Sequence, residues 1–221
     1  MINILIYGAS GHAKMIIDSI EKQNNYTIKG FIDSYKPLHL SVYNYKIIGN
    51  LDSLPELIKT HNIEGIVIAV GDNYARQMAY NNIVNIAPQL QFFSIIHPTA
   101  VIAKDVKIEE GTVVMANAVI NASAKVGKVC ILNTASTLGH DSVMANFSSL
   151  ASGVHVGGNV YIGLGSAISI SATIIQNISI GDYTVVGAAS LVLKPIGDFK
   201  LAFGNPIHTI KDRAKDSKYL G

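Results

Sequence analysis

The sequence predicts an α/β domain followed by a parallel β-helix. Three observations carry that expectation: strands alternate with helices over the first 95 residues, an apolar residue recurs at every sixth position thereafter, and a mostly small residue stands four places after each of those. The second observation decides the fold. From Ile96 the series runs through Ile102, Ile108, Val114, Ile120, Val126, Leu132, Leu138, Met144, Leu150, Val156, Ile162, Ile168, Ile174, Ile180 and Val186 to Val192, seventeen positions without a break. With about half of all residues apolar, so long a run has a chance probability on the order of one in a hundred thousand. The small register holds Ala100, Thr112, Ala118, Ala124, Cys130, Ser136, Ser142, Ser148, Ser166, Ala172, Thr184 and Ser190. A six-residue period fits neither an α-helix nor an ordinary sheet. It fits a triangular coil of three short strands per turn, with the aliphatic side chain inside the prism and the small one lining the corner. Glycine directly follows the apolar position at Gly127, Gly139, Gly157, Gly163, Gly181 and Gly187, and is expected to supply corner conformations that a β-carbon hinders. Each buried aliphatic side chain contributes roughly 1.5–3 kcal/mol, so the stacked column can hold coils that are too small to stand alone.

In the first half, strand-like NILIY, TIKGFI, GIVIAV and QFFSII alternate with helical stretches, one running to about Glu21, one opening near Asp52 and one after Asp72. Such alternation implies a parallel sheet in a small Rossmann-like α/β domain. Asp52 and Ser53 before PELI, and Asp72 and Asn73 before YARQMAYNNIV, read as helix caps. The expected organisation is therefore residues 1–95 as the α/β domain, 96–197 as the β-helix and 198–221 as a C-terminal tail.

Composition narrows the function classes. Hydrophobic residues make up 49% and charged residues 14% of the 221, yet no apolar run approaches the roughly 20 residues of a membrane helix. The opening MINILIYGASGHAK lacks a basic leader and runs into a glycine turn, so it reads as a first strand and a cytoplasmic location is expected. Net charge is +2, with only a short basic stretch around Lys211, Arg213 and Lys215, which leaves no footprint for nucleic acid. The single cysteine, Cys130, excludes an internal disulfide and reads as a buried structural thiol. No His-x-x-x-His or carboxylate cluster calls for a metal.

Two constellations can carry chemistry. The loop Gly8-Ala9-Ser10-Gly11-His12 follows a strand and opens a helix, so its N–H groups can receive phosphate or other anionic oxygens. It is not the full dinucleotide fingerprint, and the domain has no second half, so a nucleotide sugar fits better than NAD. Asp33, at the end of the second strand, is placed to accept from a ribose or base, and Gly71 and Asp72 end another strand where open parallel sheets bind ligands. The other constellation is His140, two places after Leu138 and hence outside the coil near a corner, with Asp141 beside it. Taken alone, this pair reads equally well as solvated surface.

The whole chain resembles the bacterial sugar acyltransferases that include UDP-4-amino-sugar N-acetyltransferases and sialic acid O-acetyltransferases. The resemblance rests on YGASGHAK, FID, AVGDNYAR, IHPTAVIA, LNTASTLGHDSVMANFSSLASGVHVGGNVYIG and FGNPI. It implies that the β-helix is left-handed, an exception to the usual crossover rule, and that three prisms pack as a homotrimer with each active site in a groove between neighbours. The outward valines Val113, Val119, Val143 and Val185 agree with such burial. It implies further that Ser10, Gly11, His12 and Asp33 contact a nucleotide sugar, most often UDP-linked. His140 becomes the general base and Asp141, a shorter stand-in for the usual Glu, its orienting partner. Acetyl-CoA is the implied co-substrate, with a backbone N–H, that of Gly158, steadying the oxyanion. Ile170, Gly187 and Ala188 align with CoA-contacting positions. Many members carry a second histidine nine residues after the base, on the acetyl-CoA side; here that position is Ser149, and His155 is the nearest imidazole that can replace it. Expected is N-acetylation of a nucleotide-linked 4-amino-4,6-dideoxy sugar, with O-acetylation of sialic acid or another sugar as the alternative. A silent scaffold leaves the paired His140 and Asp141 unexplained, and an NAD oxidoreductase leaves the larger half unexplained.

Overall fold

A computed structural model of the chain describes residues 1–219. The N-terminal part contains strands β1 (Ile2–Tyr7), β2 (Tyr26–Ile32), β3 (Ser41–Val42), β4 (Tyr45–Gly49), β5 (Gly65–Ile68) and β6 (Gln91–Phe92), with helices α1 (Gly11–Gln23), α2 (Leu54–Thr60) and α3 (Asn73–Ile86). The sheet order is β3-β4-β2-β1-β5-β6, and β1 pairs in parallel with both β2 and β5. Every residue of β5 is buried, as a central parallel strand covered on both faces requires. Helix α1 buries Ala13, Ile16, Ile17 and Ile20, the three-and-four spacing of one helical face.

Two details depart from the sequence expectation. The β3–β4 hairpin was not legible, because β4 fully buries only Ile47 among polar and half-buried neighbours. Ser53 stands at the start of α2 but does not cap it; its hydroxyl instead exchanges hydrogen bonds of 2.9 Å with the backbone of Asn50. Asp72 does cap α3, accepting from the Ala75 N–H at 2.9 Å.

From Ile95 to Val192 seventeen two-residue strands, β7 (Ile95–Ile96) to β23 (Leu191–Val192), recur every six residues, and each ends on one of the seventeen apolar positions. They stack into three parallel sheets whose partners lie one coil, eighteen residues, apart, as in Val113 with Ile131 and Ile131 with Ser149. The first sheet also takes in β24 (Lys200–Gly204), which pairs with β25 (Ile207–Asp212) as an antiparallel hairpin, so the expected tail is structured up to Asp212. The aliphatic column forms one continuous core, with Leu132, Leu138, Leu150 and Ile162 fully buried.

The small register does more than fill corners. Thr112 Oγ1 donates to Gly127 O at 2.8 Å and accepts from Cys130 N at 3.0 Å. Ser142 and Ser166 repeat the motif, donating to Gly157 O at 3.0 Å and Gly181 O at 2.6 Å. Each hydroxyl thus ties one coil to the next and satisfies buried backbone groups. Cys130 occupies the same register and is buried, as the sequence implied.

The glycine expectation is corrected. Left-handed backbone recurs every six residues, but three places after the apolar residue, and mostly at non-glycine positions such as Asn117, Ser123, Val129, Ala135, Asp141 and Asn159. The glycines that directly follow the apolar position answer to space: a β-carbon at Gly139 would lie 2.1 Å from Gly157 O, and one at Gly157 2.6 Å from Gln176 N. A second correction concerns the outward valines. Val113 and Val185 are 1% and 3% exposed within the single chain. Val113 packs into the core of the N-terminal domain, so its apolarity needs no oligomer; Val119 and Val143 stay half-buried.

Candidate active site

The phosphate-type loop opens in two directions. Gly8, Ser10 and Asp33 line a cleft of about 510 Å³ at the carboxyl ends of β1, β2 and β5, together with Tyr35, Lys36 and Tyr74. Ser10 is the N-cap of α1 with extended backbone and no side-chain cap, which leaves its hydroxyl uncommitted to the helix. Gly11 lines a shallower neighbouring cleft. Asp33 is largely spent on the protein: Oδ2 accepts from Ala9 N at 2.9 Å, and Oδ1 from Tyr35 N and Lys36 N at 2.9 and 3.0 Å. The carboxylate therefore shapes the loop before it meets a ligand, and Lys36 Nζ donates to Ala9 O from the same side.

His12 faces the other way, into a larger cavity of about 960 Å³ that also contains Gly71, Ser149, Ile170, Gly187 and Ala188. Its Nε2 is buried with no hydrogen-bond partner among the described residues. Burial, and then the charge of Arg76, push its pKa down to about 4, so the ring is a neutral hydrogen-bonding group at physiological pH. Gly71 borders both the cleft and the cavity. Asp72 borders neither; capping α3 is its role in this fold.

Arg76, which composition gave no reason to single out, holds the two parts together. Fully buried, it sends Nε to Val129 O at 2.9 Å, Nη1 to Gly71 O at 2.8 Å, and Nη2 to Asn73 Oδ1 at 2.7 Å and Phe147 O at 2.9 Å. Asn73 in turn donates to Ser166 O at 2.9 Å. The start of α3 is thereby fastened to three successive coils, and the cavity wall is fixed by the same bonds.

His140 and Asp141 form a contact of 2.8 Å between Nδ1 and Oδ2, with both side chains more than half exposed. Asp141 occupies a left-handed corner position, φ 59°, which Asp tolerates better than most residues. With Nδ1–H directed at the carboxylate, Nε2 is left as an acceptor. That nitrogen lies against Gly158: a β-carbon there would be 2.4 Å from it. The Gly158 N–H has no acceptor among the described residues, so an imidazole nitrogen and an unspent donor stand side by side.

The dyad lines neither the cleft nor the cavity of its own chain. It sits at the corner between the sheet holding Thr137–Leu138 and the sheet holding Val143–Met144, whereas Ser149 and Ala188 belong to the first sheet or its edge. In a three-sided prism that corner is opposite the first sheet. His155 is no substitute for Ser149 within the chain, being outward on the second sheet with Nδ1 3.2 Å from Thr137 Oγ1. His97 is buried and bonded to Thr99 at 2.9 Å, shaping the first coil. Among the described residues no group of three metal-ligating side chains converges, and no helix is long and apolar enough to cross a membrane.

Comparison with known proteins matches these features. Residues 3–83 fit the PglD N-terminal domain family. A histidine-to-asparagine mutant of perosamine N-acetyltransferase from Caulobacter crescentus, in complex with CoA and GDP-perosamine, is 29% identical over 95% of this chain and 96% of that one, with a TM-score of 0.89. The acetyltransferase domain of PglB from Neisseria gonorrhoeae, in complex with acetyl coenzyme A, is 28% identical over 93% and 98%, with a TM-score of 0.85. Serine acetyltransferase 2 of Arabidopsis thaliana is 33% identical over 102 residues, which span 42% of this chain but only 32% of the plant protein. Fold and likeness together define a left-handed β-helix acyltransferase. Within that class, the chain is similar over nearly its whole length to the bacterial sugar acetyltransferases just described.

Proposed function

We propose that this acyltransferase moves the acetyl group of acetyl-CoA onto the amino group of a nucleotide-linked 4-amino-4,6-dideoxy sugar in the cytoplasm, with His140 as general base. The observation that carries the reading is the His140 Nε2 set against the free N–H of Gly158, with Nδ1 held by Asp141 at 2.8 Å. A thioester carbonyl at that spot meets a donor for its developing oxyanion and a base for its attacker. The unprotonated amine attacks the carbonyl carbon, its proton passes to Nε2, and the C–S bond breaks to release CoA thiolate, which takes the proton back. Asp141 keeps the imidazole in the tautomer whose Nε2 accepts.

The cleft beside Gly8, Ser10 and Asp33 suits the nucleotide, and His12 a sugar hydroxyl or phosphate oxygen, as a neutral partner with an unspent nitrogen. The cavity along Ser149, Ile170, Gly187 and Ala188 suits the pantetheine arm of acetyl-CoA. Because dyad and cavity lie on opposite sides of one prism, the reading includes a homotrimer in which one chain's dyad meets its neighbour's cavity.

The test is free-thiol release from acetyl-CoA with a panel of UDP-, GDP- and CMP-linked amino sugars, serine and sialic acid. Release with a nucleotide-linked amino sugar, reduced roughly 10²- to 10⁴-fold by His140→Ala, is the expected result. Release only with hydroxyl acceptors would replace the amine with an alcohol, and undiminished turnover by H140A would remove the base.

A further inference from the structure

The segment that follows β25 crosses the mouth of the large cavity. Arg213 Nη1 donates to Tyr183 O at 2.7 Å on the last coils, and its Nη2 donates to Ser217 O within the segment. A turn closes with Ser217 N donating to Ala214 O at 3.1 Å. At the far end the Tyr219 hydroxyl accepts from Asn73 N at 3.3 Å, lies 3.5 Å from Gly71 O and contacts the Ser149 side chain. The segment thus spans from the β-helix to the N-terminal domain, and Arg213, Ser217, Lys218 and Tyr219 face the cavity directly.

Two of its cations lack an ionic partner among the described residues: Arg213 and Lys218 form no ion pair, and Asp212, the carboxylate next to Arg213, is taken by Lys200. Asp72 and Asp216 act on the Arg213 guanidinium only from beyond ion-pair distance. Two cations therefore rim a largely apolar cavity at the point where the segment crosses it.

We infer that residues 213–219 form a strap that retains CoA: Arg213 and Lys218 pair with its phosphate groups at the rim, and Tyr219 latches the strap to Gly71, Asn73 and Ser149. This rests on the reading of the cavity as the acetyl-CoA site. The chemistry is complementary, since CoA joins an extended pantetheine arm to a polyanionic end, and charge-assisted bonds to phosphate are the strong ones.

Isothermal titration of the full chain with CoA, UDP and GDP, at low and high salt, tests it against two variants, a truncation after Asp212 and the double substitution Arg213→Gln, Lys218→Gln. The second variant keeps the chain length and the Tyr219 latch, which guards against a truncation that merely misfolds. Both are expected to weaken CoA binding by about tenfold or more and to flatten its salt dependence, while UDP and GDP bind as to the wild type. Unchanged or tighter CoA binding by R213Q/K218Q overturns the strap. A loss shared by UDP or GDP overturns the assignment to CoA. A wild-type chain that binds no CoA sinks the acyltransferase reading itself, a result distinct from the other two.

Discussion

At the scale of single residues, the geometry around His140 depends on what Gly158 lacks. The ring occupies the space of the missing side chain, 2.4 Å from where a β-carbon would stand. Gly158→Ala should therefore displace the imidazole into solvent, which its exposed position permits without harm to the core. We expect a loss of turnover of roughly 10²-fold, the usual cost of a reacting group moved by about 1 Å, with the melting temperature near that of the wild type. Retained turnover would mean that the ring works from another position. Much at this scale was legible: counting from Leu138 placed His140 outside the coil, and Asp141 follows in sequence. Asp33 and Ser53 were less so. Both were read from their positions at element ends, but backbone N–H groups claim the first carboxylate and Asn50 claims the second hydroxyl. Local hydrogen-bond competition of this kind leaves no periodic trace.

At the scale of elements, the coils and α3 show opposite degrees of legibility. The hexad repeats because every coil solves the same packing problem, so each strand end could be counted from the one before it. The β3–β4 hairpin solves a local problem once, with a single fully buried residue in β4. Arg76 is the clearest case of an element-level role hidden in the sequence. Its guanidinium serves acceptors from residues 70 to 148 that only the folded chain brings together. Arg76→Lys removes the planar fork and leaves several buried carbonyls without a donor. We expect a loss of about 3 kcal/mol of stability, read as a lower denaturation midpoint, with the His12 environment perturbed in the same variant. A midpoint unchanged from the wild type would show that other contacts fasten α3 to the prism.

At the scale of the whole molecule, the arrangement of the three sheets is decisive. A corner of a triangle faces the opposite side, so the dyad and the cavity of one chain point apart. Two variants separate the halves of the proposed site: His140→Ala removes the base, and Ala188→Trp fills the exposed rim of the cavity. Each alone should be nearly inactive. Co-expressed, they should regain a measurable part of the activity, because mixed assemblies contain some grooves with an intact dyad from one chain and an intact cavity from another. No recovery in demonstrably mixed assemblies would place the whole site within one chain.

The sequence by itself determined the β-helix, its seventeen strand ends, the buried column and the outward histidine, because each follows from a short period that every coil must obey. Only the tertiary structure decided that glycine serves close stacking and not left-handed corners, that Arg76 clamps the two parts, that His12 turns away from its own loop, and that the last residues reach back over the cavity. Those outcomes depend on contacts between residues a coil or a whole domain apart, where space and unsatisfied hydrogen bonds choose the partner and no pattern along the chain records the choice.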